Sequence, residues 1–401
     1  MPECLSEPAV APPVWVVAHA VGEPSEPWLW RQITGLRRVR PQVVCWRHTN
    51  DSAYPLHSVA RTVLKFDPHP FEGPGRWWYR LRNLREWNFF ASVGTERRFL
   101  YDLARRTRPR VVLGHFGHFA LRVAPVTRRL GIPLVAHFHG MDLSSMLRNK
   151  WYRTSLRRAL STFAALVVVG SHQQRWLMAQ GVSAERIHLI PCGVPVHEYT
   201  PAERNGDAGP RFLCVSRLID FKGVDISIRA FAAVAPQHRR AELVIIGGGP
   251  DQAGLEELAR HSGAGARIRF LGDLPSSQAR AWFRSSDVFL QHSVNGDNGW
   301  VEGFGVSIAE ASSSGLPVVV TDCGGIPDQV VDGETGLIVP QRNVKAMAAA
   351  MRRLAEDAAL RERMGRAGRQ RAVDCFDVRR QIARLEDVLL TVIEENANAH
   401  C

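Results

Sequence analysis

Two successive series of short, continuous apolar runs constrain this chain more than any single residue does. The first comprises Val14–Ala18, Val43–Trp46, Val111–Gly114, Leu134–His137 and Leu166–Val169. The second comprises Phe212–Ser216, Leu243–Ile246, Ile268–Leu271, Val288–Gln291, Val318–Val320 and Leu337–Val339. Runs this short, without strict alternation, read as strands buried on both faces, the habit of parallel sheets. Helical patterns fill the intervals, and strand–helix alternation implies parallel sheets covered by helices. The polar, glycine-bearing stretch Thr200–Pro210 separates the two series and marks a domain boundary. At 401 residues the chain also exceeds one ordinary core, which again favours two domains. Arg379 to Glu395 is periodic enough for a terminal helix.

Composition excludes several classes. Hydrophobic residues make up 45% of the chain, which suits a globular protein. Apolar runs stay well short of the roughly 18 residues of a spanning helix. Met1 to Pro13 is acidic and proline-containing, unlike a basic apolar leader, and is expected to be a disordered tail (1–13). The seven cysteines are scattered and none lies at metal-ligand spacing, so reduced thiols in a cytoplasmic protein are expected. Nor is there an Asp-x-Asp at a strand end, and no metal site is expected.

Chemistry concentrates in Val301–Glu310, where two carboxylates stand eight positions apart around Gly303, Phe304 and Gly305. Val306–Ser314 reads as a short helix stopped by Gly315 and Pro317. Glu302 then lies in the loop before the helix and Glu310 about one turn in. A helix start favours anions, so carboxylates placed there are better suited to sugar and ribose hydroxyls than to phosphate. Taken alone, Glu310 reads as a solvated first-turn carboxylate and Lys222 as a surface lysine. Together with Arg217, however, Lys222 follows the strand Phe212–Ser216 on one loop, and two cations there can clamp a diphosphate.

These residues resemble the family-4 retaining glycosyltransferases. Ser216-Arg217-Leu218 with Lys222-Gly223 is similar to the family's diphosphate loop, and Ile246-Gly247-Gly248-Gly249-Pro250 to its glycine-rich turn. Glu302 through Glu310 matches its E-x7-E signature, and His139-Gly140-Met141-Asp142 its His-Gly-x-Asp segment. Ile190-Pro191-Cys192-Gly193-Val194 resembles the strand entering the interdomain linker. Ser25-Glu26-Pro27-Trp28-Leu29-Trp30-Arg31-Gln32-Ile33 and His115-Phe116-Gly117-His118 are similar to segments of exopolysaccharide and colanic-acid-type members. Pro27 and Trp28 depart from the Thr and Phe usual there, and the first loop has one glycine, Gly22.

The resemblance implies an α/β chain of GT-B architecture, with two facing Rossmann-like domains and a cleft between them. Its expected divisions are an acceptor domain over 14–198, a nucleotide-sugar domain over 199–374, and a helix over 375–401 crossing back onto the first domain. The implied reaction moves a hexose, with retention, from a UDP-sugar or GDP-mannose to a lipid-linked or soluble saccharide in cell-surface polysaccharide synthesis, without cofactor or metal. Arg217 and Lys222 would take the diphosphate, Glu302 the sugar hydroxyls, and Glu310 the ribose, with Gly248, Gly303, Phe304 and Gly305 lining the donor. His139 would reach the reacting centre, Asp142 would orient its loop or face the acceptor, and Trp28 would lie on the acceptor side. A nucleotide-sugar epimerase or a phosphorylase of similar shape shares much of this pattern.

Charge is uneven. Residues 1–195 carry 27 Lys and Arg against 12 Asp and Glu, whereas the remainder carries 24 against 27, giving +12 overall. Nine of the eleven tryptophans share the basic half, including Trp77, Trp78 and Trp87 in an arginine-rich stretch. Aromatics interleaved with arginine suit the surface of an anionic membrane, here its inner face, with a polyprenyl-diphosphate-linked acceptor as partner. Asn149–Arg153 with Arg157 and Arg158 is a second such segment, and core packing accounts for either pattern as well. A basic nucleic-acid-binding protein would leave the Glu302/Glu310 and Arg217/Lys222 placements unexplained, so no nucleic-acid partner is expected.

Overall fold

Strand and helix alternate through both halves of the computed structural model, which describes residues 11–67, 69, 76–201 and 209–399. The first half runs β1 (Pro13–Val21), α1 (Pro27–Gly35), β2 (Arg40–His48), β3 (Ala60–Val63), α2 (Arg76–Asn83) and α3 (Gly94–Thr107). It continues with β4 (Val111–His115), α4 (Gly117–Leu130), β5 (Leu134–Phe138), α5 (Lys150–Ala159), β6 (Ala165–Val168), α6 (Ser171–Ala179) and β7 (Ile187–Leu189). The second half contains β8 (Arg211–Val215), α7 (Val224–Val234), β9 (Glu242–Ile246), α8 (Gln252–His261), β10 (Ile268–Phe270), α9 (Ser276–Ser285) and β11 (Val288–Gln291). It ends with α10 (Val306–Ser313), β12 (Val318–Thr321), β13 (Gly336–Val339), α11 (Val344–Glu356), α12 (Ala358–Phe376) and α13 (Val378–Asn398).

Two parallel sheets result, ordered β3-β2-β1-β4-β5-β6-β7 and β10-β9-β8-β11-β12-β13. In each sheet the order reverses beside the first strand, which opens a crevice at the carboxyl ends of β1 and β4 and of β8 and β11. Successive side chains of a strand point to opposite faces, and β1 shows the consequence. Trp15 and Val17 join one apolar core with Val44, Trp46 and Val112, while Val14 and Val16 join another with Val43 and Val111. This is the GT-B arrangement of two Rossmann-like lobes.

Most expected strands lie where the apolar runs stand. The expected strand at Ile190–Val194 is an exception: β7 closes at Leu189, and Ile190–Val194 is connecting chain. Pro191, with no N–H to donate, cannot extend a ladder. The edge strands β3 and β7 had no apolar run to mark them. The expected tail falls largely on residues 1–10, outside the described residues, and Pro13 already opens β1. Most of Thr200–Pro210 likewise lies outside them.

Two chain crossings lie side by side. Val194 donates to the Phe376 carbonyl at 2.9 Å and Val378 donates back to Val194 at 3.0 Å. Asp377 breaks the helix there and caps the next, accepting from Arg379 N–H at 2.8 Å. The crossing thus begins after Phe376, two residues beyond the expected 375. Helix α13 then packs Ile382, Leu385, Leu389 and Val392 into the core of the first lobe, against Leu29 and Ile33 of α1. The buried Glu386 fixes its position by accepting both the Arg37 and Arg38 N–H groups at 2.6 Å.

Candidate functional site

The loop ahead of α10 is where the lobes meet. Gly315 ends this helix in the left-handed region, φ 71°. The closing bonds, Gly315 N–H to Ser312 and Leu316 N–H to Ala311, leave α10 short, with its N-terminus at the cleft. At Gly303 a Cβ would stand 2.2 Å from the His139 carbonyl oxygen, so the second lobe touches the His139 segment only because no side chain is there. Neither Gly303 nor Gly305 uses positive φ; close approach is what requires Gly303. Gln329, with its amide oriented to match donors with acceptors, brackets Gly305: its oxygen lies 2.8 Å from the Gly305 N–H and its nitrogen 3.0 Å from the carbonyl.

Glu302 is buried, and three donors converge on its Oε2: Lys222 Nζ at 2.5 Å, Gln291 Nε2 at 3.0 Å and Ser293 Oγ at 3.1 Å. Gln291 in turn accepts from Ser307 Oγ at 3.0 Å. A carboxylate this far from water requires such pairing. The network ties the loop after β8 to the end of β11 and the start of α10. Arg217, on the β8 loop, is exposed and its guanidinium lies 5.8 Å from the Trp300 ring. Leu218 N–H donates to the Gly248 carbonyl at 2.8 Å, packing the glycine-rich turn under that loop.

Across the cleft, His139 lies in an aromatic box. Trp28 tilts over it at a centroid distance of 4.1 Å, with Phe116 at 4.9 Å, His137 at 4.1 Å and His115 at 5.1 Å. His115 Nδ1 and His139 Nε2 are 2.9 Å apart. Burial pushes all three histidines toward the neutral form, His115 to about 3 and the other two well below the usual range. Trp28 thus covers His139 on the first lobe. Asp142 is also placed differently from an acceptor-facing group. It is fully buried and accepts from Gly117, His139 and Gly140 N–H at 3.1, 3.1 and 3.0 Å, so it orients the loop. Burial raises its carboxyl, while those three N–H donors act in the opposite sense.

Phe304 and Glu310, both expected at the donor, also make contacts within the protein. The Phe304 ring packs against Phe376 at 5.5 Å within a small core with Val169, Val194 and Val196 at the lobe junction, which leaves only its backbone for a donor. Glu310 accepts from Tyr199 Oη at 2.8 Å and pairs with Arg31 of α1 at 3.9 Å. Burial raises its carboxyl; Arg31 and the Tyr199 bond pull the other way. Ser171, at the start of α6, is held by Asp328 through both its N–H (2.6 Å) and its hydroxyl (2.7 Å), another bond between the lobes.

Gln291, Ser293, Tyr199, His137 and Glu26 belong to this site although no motif marked their roles. Glu26 stood inside the Ser25–Ile33 segment without an assignment. Burial first, then Glu23, raises its carboxyl to about 7, while Arg217 across the cleft acts to lower it. A folded-state value above the ordinary 4.5 means the folded chain holds that proton more tightly than the unfolded one. Its contribution to stability is therefore complete below about 4.5 and is lost as pH rises through about 7. Replacing Glu26 by Gln should remove this slope, so the stability difference between variant and parent should grow across that window in denaturant titrations. A constant difference would show that Glu26 titrates normally.

Comparison with known proteins agrees with this fold. Residues 37–198 match the family described as Glycosyltransferase Family 4, and residues 198–371 match Glycosyl transferases group 1. A GDP-mannose-dependent alpha-(1-6)-phosphatidylinositol monomannoside mannosyltransferase of Mycolicibacterium smegmatis is 34% identical over 280 residues, covering 67% of this chain and 72% of that one. A colanic acid biosynthesis glycosyltransferase of Salmonella typhimurium is 30% identical over 250 residues, 61% of each chain. Among solved structures, Anabaena HepE in complex with UDP superposes with a TM-score of 0.76 at 18% identity, covering 95% of this chain and all (100%) of that one. With two family matches that meet at residue 198 and a fold of two Rossmann-like lobes, the chain belongs to the GT-B glycosyltransferases related to family 4.

Proposed function

We propose that this glycosyltransferase moves a hexose from a nucleotide-diphosphate sugar to a saccharide carried on polyprenyl diphosphate, with retention, during cell-surface polysaccharide synthesis. The observation that carries the reading is the convergence of Lys222, Gln291 and Ser293 on Glu302, beside Arg217 and opposite His139. A diphosphate seated on the β8 loop would meet Arg217 and Lys222, which neutralise charge developing on the leaving oxygen. Glu302, held in one orientation, would accept from sugar hydroxyls. The departing phosphate would take the acceptor proton on the same face, so that configuration is kept without an enzyme nucleophile. With two cations at the leaving group, transfer would need no divalent ion.

The mycobacterial relative uses GDP-mannose and the Anabaena protein binds UDP, so donor choice is settled by binding. A ligand that binds only the native state raises apparent stability. One of UDP, GDP or ADP should selectively raise the melting temperature. Lys222→Met should abolish that shift and lower turnover on the order of 100-fold, with secondary structure retained. Equal shifts in parent and variant would remove Lys222 from the donor site.

The working surface is the basic lobe, on the cytoplasmic face of a membrane. Helix α2 exposes Trp77 (59%), Trp78 (55%) and Leu81 (69%). It is anchored beneath by Tyr79 and Asn83, which both donate to the Ala91 carbonyl. Arg80 bridges to α5, stacking 4.9 Å over Trp151, and Arg158 stacks 4.4 Å over Trp87, so the two basic-aromatic segments form one surface. Tyr152, within the second segment, is core instead. No helix among the described residues is long and apolar enough to cross a membrane. Rings at headgroup depth and arginines on anionic lipid contribute about 1 kcal/mol per basic residue. The protein should sediment with anionic vesicles and not with zwitterionic ones, and Trp77→Ala/Trp78→Ala should stay in the supernatant. Equal recovery with and without lipid would refute membrane binding.

A further inference from the structure

Three histidines from the ends of two neighbouring strands meet behind the cleft. His115 closes β4 and pairs in register with His137 of β5, and His139 follows two residues later, on the same face. Ring centroids are 5.1 Å apart for His115–His137, 5.1 Å for His115–His139 and 4.1 Å for His137–His139. One ring nitrogen from each lies within 4.8 Å of the others. The hydrogen bond between His115 and His139 uses two ring nitrogens. His115 Nε2, both nitrogens of His137 and His139 Nδ1 are buried and have no hydrogen-bond partner. A cluster of buried polar atoms left in that state calls for an occupant.

The donor set indicates which occupant. Neutral imidazole is the ligating form, and each ring offers one such nitrogen to a common centre. Three imidazoles without carboxylate or thiolate select zinc, cobalt, nickel or copper over magnesium or calcium. Tetrahedral zinc with bonds near 2.0–2.1 Å needs its nitrogens roughly 3.4 Å apart. His115 Nδ1 and His139 Nε2, 2.9 Å apart, stand near that value, and each of the three rings brings a nitrogen within 4.8 Å of the others; an ion would take the place of the hydrogen bond between the first two. A cavity of about 10 Å³ touches His137 and His139 and is lined also by Gln32 and Cys192. It has room for about one water, enough for a fourth ligand.

We propose that His115, His137 and His139 bind one divalent transition-metal ion, zinc being the best fit, and that the bound ion suppresses sugar transfer by withdrawing His139 from the donor. The binding half stands on the cluster alone, while the inhibitory half rests on the function proposed above. The test uses the full chain stripped with EDTA and titrated with Co²⁺, followed by its visible absorption, then with Zn²⁺ as competitor. One equivalent of Co²⁺ should bind and be displaced by one of Zn²⁺. His137→Gln and His115→Gln, each checked for an intact melting transition, should weaken uptake by more than the roughly 10–100-fold that loss of a supporting group costs. Zinc should lower transfer at least tenfold in step with its uptake, and EDTA should restore it. Absence of saturable uptake, or uptake unchanged in both variants, overturns the site. Stoichiometric uptake with undiminished transfer overturns the inhibitory role. Uptake by a chain that transfers no sugar from any donor leaves the site standing and removes the transferase reading instead.

Discussion

Glu302 is nearly out of water, and a carboxylate there is tolerable only because Lys222, Gln291 and Ser293 converge on one of its oxygens. Those partners come from the loop after β8 and from the end of β11 and the residues just beyond it. Satisfying one charge thus assembles the carboxyl edge of the second sheet around the start of α10. The next residue, Gly303, lies against the His139 carbonyl, so the same network sets the contact between the lobes. Asp142 performs the matching task on the other side, holding the His139 loop with three backbone bonds. Two buried carboxylates, each satisfied by its own lobe, thereby fix the facing walls of the cleft.

Fold was legible in the sequence to the extent that burial writes itself into composition. Strands such as Val318–Thr321 are covered on both faces and therefore read as unbroken apolar runs. Edge strands have no such obligation: β3, Ala-Arg-Thr-Val, is mostly exposed, and β7 has only three residues. Helix α10 was legible because its stop signal, Gly315 before Pro317, is local.

The placing of Glu302, Lys222 and Gly303 together at the cleft was legible because charged residues and a glycine in loops after strands stand out from core packing. The site was illegible where a residue type serves packing equally well. Phe304 and Trp28 are aromatic, and whether a ring meets ligand or core depends on neighbours brought from elsewhere in the chain, Phe376 in one case and His139 in the other. Glu310 is buried against Tyr199, which is 111 residues away. The histidine cluster shows the limit most sharply. His115 and His139 are 24 positions apart, so no local spacing could register them, and only the parallel pairing of β4 with β5 brings them together.

On the proposed function, the carboxyl edge built on Glu302 holds a nucleotide diphosphate against Lys222 and Arg217, facing His139. A crystal structure of the chain with UDP or GDP, whichever binds, tests this most directly. Phosphate density should lie within hydrogen-bond distance of Lys222 Nζ and the Arg217 guanidinium, with the nucleotide beside the glycine-rich turn at Gly248. Diphosphate bound on the first lobe, or anywhere out of reach of both cations, would contradict it.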